Sequence, residues 1–470
     1  MRNGGRTRGR PKTLDFGPPP IHSSGHPPSA FCHSALRIPN SAFVTVRPAR
    51  ALFGPVALPP DKSIAHRAVL FAALGEGVSH VVNFPDAADP QSTLACVRAL
   101  GVRVRDEGGV LAVEGRGLGG LRAPDGPLDC GNSGTTMRLL AGVLAGQPFD
   151  SVLTGDASLS GRPMGRVITP LAAMGARIGA DDGHAPLRIA GRGESGPGLR
   201  GIEYRLPVAS AQVKSCVLLA GLYADGETTV VEPVPTRDHT ERMLGLSAVE
   251  MGGERRLTIS PKHRIAARTW SVPRDFSAAA FFLVAGSIVA EGEITLPGVG
   301  LNPTRSALLD VLRAMGADIT TANERAHGGE PIGDLTVRPA RLHGITIGGA
   351  VVANLIDELP ILAVAAACAD GETEVRDAAE LRVKETDRIA AICRNLRALG
   401  ADVDELSDGF RIRGGRQLVG AAVASYDDHR IAMAMGVAGL IASGETQVEG
   451  ANCARVSFPG FWDALDAIRG

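Results

Sequence analysis

The sequence predicts a soluble α/β protein of two domains, each assembled from three copies of one helix-and-hairpin unit. Two patterns carry that expectation. A helix closing on glycine recurs at Val97–Val102, Leu171–Ala176, Leu312–Ala317 and Leu396–Ala401. In each case an apolar helical face runs into a glycine where a left-handed cap belongs, and a strand starts directly after it. Short strands then return after turns at Val110–Glu114, Pro186–Ala190, Arg256–Ser260, Asp334–Arg338 and Gly409–Arg413. The residues closing them, Gly115, Gly191, Pro261, Pro339 and Gly414, stand 76, 70, 78 and 75 positions apart. Self-similarity at a long fixed period marks a structural repeat, here six units of about 70–75 residues counting the one that ends in the helix Phe461–Ile468. The stretch Met243–Val249 is irregular against this period.

Composition bounds the rest. The 470 residues are 44% apolar, 21% charged and 4% aromatic, with a formal net charge of −1. A chain this close to neutral lacks the basic excess of a nucleic-acid or membrane-surface binder. The longest apolar runs, Ala278–Ala290 and Ile431–Ala442, fall short of a spanning helix and read as buried helices. Seven scattered cysteines without a CxxC pair argue against a disulfide framework or a cysteine zinc site, and fit a reducing compartment. Residues 1–42 are Arg- and Pro-rich, with Asp15 the only acid before Asp61, and no apolar segment of secretory type follows. They read as a disordered tail, with the globular body starting near Phe43 in a short strand.

Two glycine motifs do not carry the chemistry they suggest. Gly115–Gly120 and Gly191–Gly196 both fit GxGxxG after a strand, but Pro124 and Pro197 arrive where a dinucleotide site needs a helix. The chemistry is expected where charges break into apolar surroundings. In Leu58–Leu70, Pro60 and Asp61 suit a helix start, which brings Lys62, Ser63 and Arg67 toward free amide N–H groups that favour an anion. Cys130–Arg138 offers small residues and hydroxyls that let backbone approach a ligand. Ser160–Arg166 sets Arg162 and Arg166 around a proline. Val208–Lys214 places Ser210, Gln212 and Lys214 before an apolar run, and Thr236–Glu241 gathers polar groups around Arg237. Asp357 and Glu358 lie inside the apolar Leu355–Ala363, where burial is expected to raise a carboxyl pKa toward that of a useful base. Leu381–Arg388 packs five ionisable groups, among them Lys384, Glu385 and Arg388, into eight residues, and Asp427–Met433 puts Arg430 at the mouth of an apolar helix. Basic residues from several units converging on one cleft would suit a small, multiply anionic substrate.

The segments LPPDKSIAHR, GNSGTTMR, GRPMGR, ASAQVKS, TRDHTE, IDELP, LRVKETDR and YDDHR together closely resemble the 5-enolpyruvylshikimate-3-phosphate synthases of the enolpyruvyl transferase family, in family order from about residue 43 to 470. The resemblance implies an inverted α/β barrel of two domains, each three βαβαββ units, with the active site between them. The expected boundaries are 43–60 plus 272–470 for one domain and 61–271 for the other. It also implies transfer of the enolpyruvyl group of phosphoenolpyruvate to the 5-hydroxyl of shikimate 3-phosphate, by a cytoplasmic monomer with no metal or organic cofactor. Carried over by position, Lys62 should touch both substrates. Shikimate 3-phosphate should meet Ser63, Arg67, Ser210, Ala211, Gln212, Arg237, Asp357 and Lys384. Phosphoenolpyruvate should meet Gly134, Arg162, Gln212, Arg388 and Arg430. Asp357 would take the 5-hydroxyl proton, and Glu385 with Lys62 would manage the proton at the methylene carbon. A small residue at Gly134 implies sensitivity to glyphosate.

This chain departs from many members at three places. Ala211 replaces a second serine, Glu380 stands where some members have an asparagine facing shikimate phosphate, and the lysine expected near Val456 and Ser457 is absent. Two other readings remain from the residues. One is the related transferase acting on UDP-N-acetylglucosamine, whose loop cysteine would fall at Ala157. The other is a non-catalytic binding protein of the same fold, against which Lys62, Asp357 and Glu385 argue, since unpaired buried charges are costly.

Overall fold

The computed structural model describes residues 43–193 and 198–470. The tail 1–42 and part of the second GxGxxG segment lie outside these residues. Six small sheets carry the architecture. Five follow one plan, in which a parallel pair extends through two antiparallel strands. In the sheet around Ser151–Thr154, for example, Leu128–Asp129 runs parallel to it, while His184–Ala190 and Arg177–Asp181 run antiparallel. The chain order within such a unit is strand, helix, strand, helix, hairpin. The sixth sheet ends its unit on the helix Phe461–Ala467 and takes its third strand, Val44–Val46, from the start of the body.

The repeat glycines behave as their spacing predicts. Gly101, Gly175, Gly316 and Gly400 all have φ between +84° and +99°, a region that side chains with a Cβ avoid. The irregular segment near 243 is the same device shortened: the helix His239–Leu244 stops after six residues at Gly245, φ +70°, and a strand follows at Ala248–Met251. The helix boundaries that the two apolar runs suggest shift by only a few residues, to Phe276–Ile288 and His429–Gly439.

Each unit contributes one inner helix. These are α1 (Lys62–Leu74), α2 (Gly134–Leu144), α3 (Ala211–Gly221), α4 (Phe276–Ile288), α5 (Leu359–Cys368) and α6 (His429–Gly439). They are largely apolar around their circumference because sheets and one another cover them, and polar side chains among them such as Arg67 and Lys214 are paired. Small residues set their spacing: a Cβ on Gly142 of α2 would stand 2.3 Å from the Cys216 carbonyl oxygen of α3. Five of the six begin on a side-chain cap, Asp61, Ser133, Ser210, Asp275 and Asp428, each accepting a backbone N–H of the first turn.

Two hydrophobic cores result. One gathers α1, α2 and α3 with residues between Ile64 and Val272, and the other gathers α4, α5 and α6 with residues from Val46 to Leu58 and from Phe276 to Ile468. The chain passes between the cores twice, near residues 58–64 and 272–276. The two passages lie side by side: Pro60 bridges Arg274, and Asp61 N–H donates to the Pro273 carbonyl at 2.7 Å. Among the described residues no helix is long and apolar enough to cross a membrane.

Candidate active site

The beginnings of all six inner helices meet at a cavity of about 650 Å³. Each inner helix presents unpaired N–H groups and the positive end of its dipole there. Nine lysine and arginine side chains against six carboxylates line the same space, so its wall is net cationic. A cleft so built favours small, multiply charged anions over neutral ligands.

Of the site residues expected from the sequence, all but Arg67 face this cavity. Lys62, first residue of α1, pairs with Asp89 at 2.8 Å. Gly134 opens α2 with no side chain of its own, and a Cβ there would come within 3.1 Å of Arg138 Nη1 and 3.6 Å of Arg162 Nη1. Arg162 is steered by Asn132 Oδ1 at 2.7 Å. Ser210 caps α3, and Ala211 and Gln212 follow. The Gln212 amide is fixed from both ends, donating to Thr135 Oγ1 at 2.9 Å and accepting from Arg138.

Across the cleft the charges are interlocked. Asp357 receives Arg237 at 2.7 Å, Arg388 at 3.4 Å and Arg430 at 3.8 Å, and its own carbonyl accepts from Arg430 at 2.9 Å. Arg388, 1% exposed, is gripped by Asp428 at 2.7 Å and by Glu385 at 2.7 Å. Asp428 therefore does two jobs, capping α6 and orienting Arg388. Lys384 reaches within 3.9 Å of Glu380.

Two expectations are corrected here. Arg67 does not point into the cavity beside Lys62: it is buried one layer behind, donating to Thr240 at 2.7 Å, Ser215 at 2.9 Å and the Ser63 carbonyl at 2.9 Å. The five-residue step from Lys62 carries it to another face of α1. The second correction concerns Asp357. Burial does push its carboxyl up, but Arg430, Arg237, Lys384 and Arg388 outweigh burial and hold it well below the usual carboxylate range. Glu385 follows the same rule: burial raises it, Arg388 leads the opposing charges, and the net direction is down. The expected upward shift falls on the neighbour Glu358, fully buried against Ser277, where burial prevails. Lys384 is lowered, by burial first and partly offset by Asp357.

Lys214 is also not a site residue. It is fully buried between Glu232 at 2.9 Å and Glu241 at 2.7 Å, and Glu232 in turn accepts from the Thr236 N–H at 3.2 Å. It supports the loop that carries Arg237 from beneath. In the other direction, the sequence did not single out Asp89, Arg138 or Thr135 as lining residues. Arg138 and Thr135 lie inside a quoted motif, whereas Asp89 sits in a bland acidic helix start and offered no signal.

The sequence profile of the family described as EPSP synthase (3-phosphoshikimate 1-carboxyvinyltransferase) matches residues 46–465. A 3-phosphoshikimate 1-carboxyvinyltransferase from Salinibacter ruber is 64% identical over 426 residues, covering 90% of this chain and 99% of that protein. Its counterpart from Gloeobacter violaceus is 52% identical over 431 residues, covering 90% and 98%. Among solved structures, the EPSP synthase from Acinetobacter baumannii superimposes with a TM-score of 0.81 at 43% identity, covering 91% of this chain and 98% of that one.

Proposed function

The chain belongs to the EPSP synthase family, and from that premise we propose how its residues divide the family's reaction. The enzyme transfers the enolpyruvyl group of phosphoenolpyruvate to the 5-hydroxyl of shikimate 3-phosphate and releases phosphate, a step toward chorismate and the aromatic amino acids. The fold is the two-domain inverted α/β barrel. We assign the domains to the two cores, 43–60 with 272–470 and 61–271, with the crossing segments as the hinge.

One observation carries the assignment of roles: of the carboxylates lining the cavity, Asp357 is the one that pairs with Arg237, Arg388 and Arg430 together. In the proposed reaction Asp357 takes the proton of the 5-hydroxyl as its oxygen attacks the central carbon of phosphoenolpyruvate. Its low pKa reflects the surrounding cations. Two bound anions offset those cations, so the carboxylate becomes more basic when both substrates are in place.

Attack on that carbon requires a proton on the methylene carbon, and the later loss of phosphate requires one to leave the resulting methyl group. In this reading Lys62 and Glu385 share this exchange. Glu385 is held ionised by Arg388 and is therefore ready to accept the proton in the elimination step.

Arg162, Arg388 and Arg430, with the α2 N-terminus at Gly134, form the phosphoenolpyruvate subsite. Ser63, Ser210, Ala211, Arg237 and Lys384 form the shikimate phosphate subsite, Gln212 and Lys62 stand between the two, and Arg67 braces Ser63 through its carbonyl. Closing the cleft over both anions excludes water and aligns the reacting atoms. We read the enzyme as a cytoplasmic monomer that needs no metal or organic cofactor.

The test is phosphate release by the purified protein given phosphoenolpyruvate, with and without shikimate 3-phosphate. Release that requires both substrates supports the reading. Release only with UDP-N-acetylglucosamine would replace it with the related transferase, and silence with either acceptor would refute catalysis altogether.

A further inference from the structure

One ion pair spans the cavity without belonging to either subsite. Arg166 Nη1 lies 3.0 Å from Glu380 Oε1. Arg166 is the second residue of the helix Gly165–Ala173, whose Val167 and Leu171 pack in the core of α1–α3. Glu380 is the second residue of the short helix Ala379–Val383, whose Leu381 packs in the core of α4–α6. The contact therefore joins the two sides of the cleft at its rim, where both residues line the cavity.

Local forces do not favour this position for Arg166. A cation in the first turn of a helix opposes the dipole, and Met164 provides no side-chain cap. Arg138 and Arg162 crowd the same wall; burial, then these like charges, push the Arg138 guanidinium down to about 10. A carboxylate from the opposite side is what this wall lacks. Glu380 supplies it, and at a helix start that favours a negative charge. Glu380 also stands 3.9 Å from the Lys384 ammonium, and the parallel contact Arg162–Glu385 spans the cleft at 3.8 Å.

We propose that Arg166 and Glu380 are a positioning pair that fastens the cleft shut and, through Glu380, holds Lys384 toward the phosphate it binds. This rests on the reaction proposed above. Neither residue touches substrate: the pair shifts the open–closed balance, so its loss appears as weaker apparent binding of both substrates. Both side chains are about one-third exposed, 36% and 34%, so each substitution is tolerated by the fold.

The experiment compares Arg166→Glu, Glu380→Arg, the double exchange and the conservative Arg166→Lys. An exposed pair contributes a few-fold in an equilibrium, and charge reversal adds repulsion, so each single reversal is expected to raise KM for both substrates by about five- to tenfold with kcat changed less than twofold. Arg166→Lys should leave both KM values within about twofold of the parent, and the double exchange should return that for phosphoenolpyruvate to the same range, while KM for shikimate 3-phosphate stays raised because an arginine at position 380 repels Lys384. Unchanged KM in the single variants, or a double variant whose KM for phosphoenolpyruvate is as poor as that of the worse single, would overturn the proposal.

Small-angle scattering on the substrate-free proteins judges the pair independently of catalysis. The single reversals should enlarge the radius of gyration and the exchange should restore it; equal radii would refute the latch. A parent protein that releases no phosphate yet shows this pattern of radii would sink the reaction and keep the latch.

Discussion

Replacing Asp357 by asparagine preserves the shape of the side chain and removes one negative charge from the centre of the site. The group lost is the proposed base, held 2.7 Å from Arg237, 3.4 Å from Arg388 and 3.8 Å from Arg430. A positioned general base contributes about 10²- to 10⁴-fold in rate. At about 1.36 kcal/mol per decade, kcat should therefore fall by a barrier increase of about 3–5 kcal/mol. Binding should move the other way, because three guanidinium groups lose an internal partner and become freer to hold substrate anions. Steady-state rates of phosphate release give kcat, and calorimetric titration with shikimate 3-phosphate gives affinity. The expected pair of results is a loss of at least a hundredfold in kcat with an affinity equal to or tighter than the parent. A kcat within tenfold of the parent would refute the role of Asp357 as base. Affinity weakened tenfold or more would show instead that the carboxylate works mainly by grasping substrate.

Other perturbations test separate parts of the argument. Gly134→Ala puts a Cβ 3.1 Å from Arg138 Nη1, which Gln212 holds in place. Overpacking of about 1–3 kcal/mol should raise KM for phosphoenolpyruvate roughly five- to a hundredfold, leave that for shikimate 3-phosphate within about twofold, and weaken inhibition by glyphosate. Equal changes in both constants would contradict the assignment of Gly134 to one subsite. Lys214→Met strands Glu232 and Glu241 in the core. The cost read from urea midpoints should be about 3 kcal/mol, the low end for a broken buried pair, because Arg255 still faces both carboxylates at 3.4 Å. A midpoint unchanged within error would show that the lysine carries no structural charge.

Acid should destabilise the fold through its buried histidines. Burial, ahead of any charge, lowers His66 to about 3 and His429 to about 4. The unfolded chain protonates them near 6.5 while the folded one does not, so stability falls as pH drops from about 6.5 to 4, by up to about 3 kcal/mol for each. His66→Gln should flatten that slope in thermal melts recorded across this range; an identical slope would rule His66 out as a source.

The repeat was legible because its signals are local. A glycine forced to positive φ after an apolar helix face, as at Gly175 or Gly316, betrays itself in a six-residue window, and six such units leave little freedom for the fold. The convergence of charged segments was legible for a similar reason: Lys384, Glu385 and Arg388 are costly to place in an apolar context without a task. Direction was what could not be read. Arg67 and Lys214 lie in the right segments, but their side chains run into the core behind the cavity, and only the rotation of α1 and α3 decides that. The sign of the Asp357 shift was equally hidden. Burial is visible in the sequence around it, whereas the four opposing cations arrive from segments 27 to 120 residues away. Asp89 offered no signal at all, since its partner Lys62 is identified only by the packing of two helices.

The double passage between the cores bears on how the chain is made. Residues 61–271 form one uninterrupted stretch and can complete their sheets while the ribosome is still translating the remainder. The strands at Val44–Val46 and Ala51–Pro55 cannot. Arg50 waits for Glu291, 241 positions later, and Arg47 for Glu445, 398 positions later. Until then the opening strands emerge first with their edges unsatisfied, and they are sealed into place nearly last. The earliest synthesised part of the body is thus its closing clasp. A vectorial synthesis that stalls after residue 271 would leave one finished core tethered to two unpaired strands, the kind of exposed edge on which aggregation and chaperone capture begin.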